Sequence, residues 1–135
     1  MKAQQQKYGF IRNVDTPFDE TVENTREALK NEGFGVLSEI RIDEKLKEKL
    51  GVDFRRYIIL GACNPPYAYK TLQQELNIGL LLPCNVVVYD ADEDGKSVVA
   101  AVDAKAMLSV IGDKPSLNEI ATEVNQKLQR AIERV

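Results

Sequence analysis

At 135 residues, 44% hydrophobic and 29% charged, the chain suits one folded domain that buries roughly two thirds of the surface its unfolded form exposes, and it is too apolar for a disordered protein. A net charge of −3, with acidic and basic residues interleaved, provides no basic stripe for phosphate contacts and disfavours nucleic-acid binding. Histidine is absent, which removes the commonest general base and the commonest zinc and haem ligand, and two cysteines do not make a disulfide scaffold.

The opening run Met1–Lys7 is polar and lacks the apolar core of a signal peptide, and no stretch approaches the roughly 18 apolar residues of a membrane span. The chain therefore reads as a cytoplasmic protein with no membrane partner: a polar tail over residues 1–7 and a single domain over residues 8–135. Tyr8–Val14 is the first predicted strand. It runs into Thr16-Pro17-Phe18-Asp19, where Thr16 suits an N-cap and Pro17 the first helical position. Phe18, Val22, Thr25 and Leu29 then recur at helical spacing, and Gly33 supplies a stop. Gly35–Ile42 reads as a second strand, with Val36, Ile40 and Ile42 on one face and Leu37, Glu39 and Arg41 on the other. Asp43 is placed to cap a short helix ending at Gly51.

Arg56–Ala62 is a third predicted strand, largely buried because its centre is continuously apolar. It delivers Cys63 to a helix start in which Asn64 is the N-cap and Pro65 the first helical residue, with Ala68, Leu72 and Leu76 as the inward stripe. Asn77–Pro83 is an apolar return. Asn85–Tyr89 and Ser97–Val102 form a hairpin around the acidic loop Asp90–Gly95. Ser116 and Glu119 form a capping box at the start of the last helix, whose face is Leu117, Ile120, Ala121, Val124, Leu128, Ala131 and Val135. Mixed elements with a late hairpin fit an α+β two-layer sandwich rather than a doubly wound parallel sheet.

Chemistry, if present, concentrates where Cys63-Asn64 and Cys84-Asn85 bracket the helix and its return. The helix of about 13 residues rises roughly 19 Å. An extended return covers roughly 23 Å, so the two cysteines can meet. Cys63 lies just before a helix N-terminus, where unpaired amides and the dipole favour a thiolate. Packing is the plainest reading, since free cysteine is among the most buried residue types. A small-ligand or thiol-redox pocket using Cys63, Asn64 and the helix amides is the sharper one. Cys63 and Cys84 are also the only metal-ligand pair on offer. Closed zinc coordination would need carboxylates or a cysteine pair shared across a dimer, so no metal or other cofactor is expected. The pair does not have the Cys-x-x-Cys spacing of a thioredoxin-like site.

Asp90-x-Asp92-x-Asp94-Gly95 opens like a calcium loop, but its twelfth position is Ala101 and its flanks read as strands, so a solvated turn is the better reading. Glu39, Arg41, Tyr67, Tyr69 and Lys70 are candidates for a polar rim around the Cys63 pocket. Each also has an ordinary surface reading. Asn85 suits a turn.

At these residues the chain resembles the bacterial and archaeal family known as domain of unknown function 302. The matching runs are Gly33–Ile40, Leu46–Phe54, Leu60–Pro65 and Ile78–Val88, and with flanking helices the resemblance spans most of residues 8–135. It implies a fold similar to the TATA-binding-protein-like class, a curved and mainly antiparallel sheet of about five strands with helices packed on it, and it implies a homodimer. It implies no activity, and fold similarity alone brings no DNA binding. Arg41 stands where the family often has an acidic residue, and Tyr69 where histidine occurs. The expected function is small-ligand binding at a Cys63-centred pocket with Asn64, Cys84, Asn85, Glu39 and Tyr67 as candidate contacts. The alternative is a structural or interaction homodimer with inert, buried cysteines.

Overall fold

The structure, a computed structural model, describes residues 3–135. Strand β2 (Gly9–Val14) passes into helix α1 (Phe18–Asn31). Thr16 does not cap that helix. Its hydroxyl pairs with the Thr21 hydroxyl at 2.6 Å, its carbonyl accepts from Ser97 Oγ, and Pro17 takes the N-cap position instead. The Gly33 stop follows the reading: φ is +86°, the amide of Gly33 bonds Lys30 O, and the amide of Phe34 reaches back to Leu29 O. A side chain at that φ would be strained, so glycine closes the helix.

Strand β3 (Gly35–Arg41) pairs with β4 (Tyr57–Cys63) through a bulge between Val36 and Ser38. Val36 lies opposite Ala62, whereas Glu39 and Arg41 lie opposite Leu60 and Ile58. The extra residue, Leu37, therefore puts Val36, Glu39 and Arg41 on the core side and Ile40 on the other, correcting the simple alternation read from sequence. Arg41 and Arg56 each lie 5.1 Å from the centroid of the Phe18 ring and hold the start of α1 by cation–π contact. Helix α2 (Ile42–Leu50) starts directly after Arg41 and ends at Gly51, φ +69°. Asp43 does not cap it. Its carboxylate takes two hydrogen bonds from Arg41 and one from the Tyr57 amide, joining α2 to β4.

Asn64 precedes α3 (Pro65–Gln74), which stops two residues short of the expected stripe and leaves Leu76 exposed. The return is a 3₁₀ helix, Leu76–Leu81, rather than an extended segment. Cys84 still comes back beside the end of β4, because β5 (Cys84–Asp90) pairs with β4 in a register that sets Cys84 opposite Ala62. Strand β6 (Ser97–Val102) completes the hairpin, and Asp103 then caps α4 (Ala104–Leu108) by accepting from the Ala106 amide. A 3₁₀ turn, Ser109–Ile111, leads to α5 (Pro115–Glu133). No capping box forms there: Lys114 is the N-cap, and Ser116 hydrogen-bonds Gln74 of α3.

The sheet has six strands in the order β1-β2-β6-β5-β4-β3, every pair antiparallel, where β1 is Gln4–Gln5. Of the polar tail expected over residues 1–7, Met1 and Lys2 lie outside the described residues, and Gln4–Gln5 pair with β2. Helices α1 and α5 cover one face, where Phe18, Leu29, Leu128 and Ile132 bury against Leu60, Val86, Val88 and Val99. Each such side chain contributes about 1.5–3 kcal/mol of burial, so this layer dominates stability. Arg12 ties β2 to the end of α5 through hydrogen bonds to Ile132 O and Val135 O. Ile11, Ile40, Ile59, Val87 and Ala100 lie on the opposite face, outside that core, together with the stacked rings of Tyr57 and Tyr89, 5.2 Å apart. The sequence-derived α+β class with helices on an antiparallel sheet describes the molecule.

Arg41 holds the Asp43 carboxyl below the ordinary carboxylate range, helped by the Tyr57 amide and opposed by burial. A lowered native value means that the unfolded chain binds the proton more tightly. The contribution is therefore complete above the ordinary range and is lost as pH falls below about 4. Denaturant melts should show Asp43→Asn costing about 1.5–3 kcal/mol at pH 7 and progressively less as the pH drops below about 4.

Candidate functional site

Where β4 and β5 end against α3, α4 and α5, the chain forms a half-open cavity of about 320 Å³. That volume lies at the small end of the range for ligand sites. Among the described residues, no charged side chain lines it. Its sheet-side wall is Phe34, Ala62, Cys63 and Cys84; its helix-side wall includes Tyr67 and Thr71 of α3, Met107 of α4 and Val124 of α5. Leu37, the bulge residue, reaches its edge and is 70% exposed, so an apolar side chain stands at the mouth.

The cavity brings together four of the residues singled out from the sequence, Cys63, Asn64, Cys84 and Tyr67. Two others lie elsewhere. Glu39 pairs with Arg26 of α1, and Asn85 is exposed on β5 and is not part of the wall. Of the proposed rim, Arg41 is bound to Asp43, while Tyr69 is exposed and, like Lys70, lies outside the wall. Carboxylates of the Asp90–Gly95 loop are held by cations: Asp90 by Arg56, Asp92 by Arg55 and Glu93 by Lys96.

Cys63 is the last residue of β4, half-buried, and Cys84 is the first of β5, buried; both are free thiols. Burial pushes the Cys84 thiol up to about 11, and nearby Cys63 adds to the rise. The register sets Cys84 opposite Ala62, and alternation along β4 turns Cys63, the next residue, toward the other face of the sheet. Asn64 stands at the N-cap position but does not cap with its side chain. Its Nδ2 donates to Glu32 O at 3.2 Å and fastens the end of α1 to the start of α3.

The helix start is poor in donors. Pro65 and Pro66 have no amide hydrogen, and the Ala68 amide already bonds Asn64 O. An anion at this terminus would find fewer donors than a helix start ordinarily offers. Thr71 Oγ1 is likewise committed, donating to Tyr67 O. Burial, and next Glu123, push the Tyr67 phenol up, so it stays a neutral donor. The arrangement suits an uncharged, largely apolar occupant lying against thiol sulfur.

Sequence reasoning missed Met107, whose helix is only five residues long. The signal was present in Asp103, a favoured N-cap directly after an apolar strand. Among the described residues, no group of three or more His, Cys, Asp or Glu is placed to hold a metal ion.

Native protein treated with iodoacetamide at pH 8 should be alkylated at Cys63 well before Cys84, read by peptide mass spectrometry. The Cys84 rate should keep rising toward about pH 11.

The model of the family described as Domain of unknown function DUF302 matches residues 10–135. The crystal structure of an uncharacterized conserved DUF302 protein from Bacillus stearothermophilus is 37% identical and superposes with a TM-score of 0.84, over 93% of this chain and 96% of that chain. No curated protein matches the chain. The matched span contains every residue of the cavity wall, and the chain belongs to the domain of unknown function 302 family.

Proposed function

We propose that this protein binds a small, uncharged and largely apolar molecule in the cavity bounded by Cys63, Cys84 and Tyr67. The observation that carries this reading is an apolar hollow of about 320 Å³ set between the end of the sheet and helices α3, α4 and α5. A half-open apolar hollow left to water forgoes packing contacts along its lining. An occupant restores them, and the lack of any charged wall residue selects against acids and amines. Asn64, its Nδ2 already engaged, and the Tyr67 hydroxyl supply what polarity the site has.

A neutral apolar dye, N-phenylnaphthylamine, should brighten on binding the native chain. Ala68 lines the cavity from α3 and is half-buried. Ala68→Phe should fill the space and weaken dye binding by at least about tenfold while the thermal melt is retained. Unchanged dye binding in a folded Ala68→Phe protein would remove the proposal.

A second reading rests on the opposite face of the sheet, where Ile11, Ile40, Ile59, Val87 and Ala100 lie away from the core under α1 and α5. A contiguous apolar face of this kind suits a protein partner, and a second copy of the chain meets it with the same apolar surface. Sedimentation equilibrium should then give a dimer that Ile59→Glu converts to a folded monomer. A monomeric wild type would sink this reading without touching the first.

A further inference from the structure

Along β4, Ile58, Leu60 and Ala62 face the helices, and Cys63 turns away. Asn64 continues the extended backbone, so its side chain returns to the helix side and enters the cavity wall only 9% exposed. Its Nδ2 donates to Glu32 O at 3.2 Å, which fixes the orientation of the amide, because the flipped group would set oxygen against oxygen. The nitrogen edge is turned toward the end of α1: a Cβ on Gly33 would lie 3.2 Å from Nδ2 and 3.9 Å from Oδ1. Among the described residues no donor reaches Oδ1, yet that atom is not sealed away from solvent. An acceptor that stays accessible on so buried a side chain opens onto the hollow that the residue lines. The neighbouring groups offer few donors to match. Thr71 Oγ1 has given its hydrogen to Tyr67 O, Pro65 and Pro66 have none at the start of α3, and the Ala68 amide is bonded to Asn64 O. The Tyr67 phenol stays protonated beside the Glu123 carboxylate, which competes for its hydrogen.

We infer that the cavity selects alcohols and phenols, apolar molecules with one hydroxyl that donates to Asn64 Oδ1 while the hydrocarbon part fills the hollow. This selectivity rests on the apolar-ligand reading and names the class of molecule that the cavity takes. A hydroxyl supplies the missing hydrogen and carries no charge. Ammonium groups would also donate, but among the described residues no wall carboxylate balances them. Ketones, aldehydes and esters present only acceptors, so a carbonyl oxygen buried here loses its water and finds no free amide in return. Asn64 is therefore a specificity-determining residue. Removing the hydroxyl from the ligand leaves Oδ1 unpaired beneath an apolar occupant, and a buried acceptor without a donor is costly.

Displacement of N-phenylnaphthylamine from the native protein is measured with three ligands of similar outline: para-propylphenol, propylbenzene and para-propylacetophenone. The phenol should displace the dye at a concentration at least about fivefold lower than propylbenzene does, although propylbenzene leaves water more readily, and the ketone should do no better than propylbenzene. In Asn64→Leu, close in volume but apolar, the advantage of the phenol should shrink to about twofold or less. A circular dichroism melt establishes whether that variant folds without the bond to Glu32 O, and if it does not, the three ligands on the wild type still decide. Equal displacement by all three would overturn the hydroxyl site while leaving apolar binding in place. So would a ketone that competes as well as the phenol, or a folded Asn64→Leu protein that keeps the full preference. Absence of dye binding to the wild type would overturn the apolar-ligand reading and the hydroxyl site with it.

Discussion

The pairing of β4 with β5 is the constraint on which the site depends. In that ladder Ile58, Leu60 and Ala62 face the helices opposite Val88, Val86 and Cys84. Sheet side chains alternate with a period of two, so a slip of one residue would send every one of them to the other face. The cost of exposing Leu60, Val86 and Val88 fixes the register, and the register in turn fixes Cys84 against the cavity rather than against the uncovered face. The position of the thiol is thus a by-product of core packing several residues away.

The helices use this frame in different ways. Helices α1 and α5 are structural, and their faces bury against the middle of the sheet. Helices α3 and α4 stand at its end, where the strands have stopped and nothing fills the space between them. Their shortness matters: ten and five residues are too few to close the hollow. Pro65 and Pro66 start α3 sharply and remove two amide donors, so the same residues that place the helix also make the cavity less receptive to anions.

Much of this was legible from local pattern. The three- and four-residue spacing in Phe18–Leu29 and in Leu117–Ala131 located the two covering helices, and continuous apolar runs located the central strands. What escaped depended on partners distant in sequence. Thr16 and Ser116 have the chemistry of N-caps, but Thr21 and Gln74 claim their hydroxyls instead. Asp43 has the same chemistry and is drawn off by Arg41 and Tyr57. The bulge at Leu37 has no local signature, and it alone decides whether Glu39 faces the core side or the uncovered side. The cavity was legible only as a suspicion around Cys63. Its far wall comes from α4 and α5, more than forty residues onward, and no periodicity announces that these elements meet α3.

The stacked rings of Tyr57 and Tyr89 lie 5.2 Å apart and nearly parallel on the uncovered side of the sheet. The chain has five tyrosines and no tryptophan, so ultraviolet emission excited beyond the absorption of phenylalanine belongs to phenol rings alone. Two of the five are stacked on the same face as exposed Ile40 and half-buried Ile11, Ile59 and Val87. That face therefore carries a built-in optical reporter, one that senses whatever comes to rest on it without a dye, a label or a substitution.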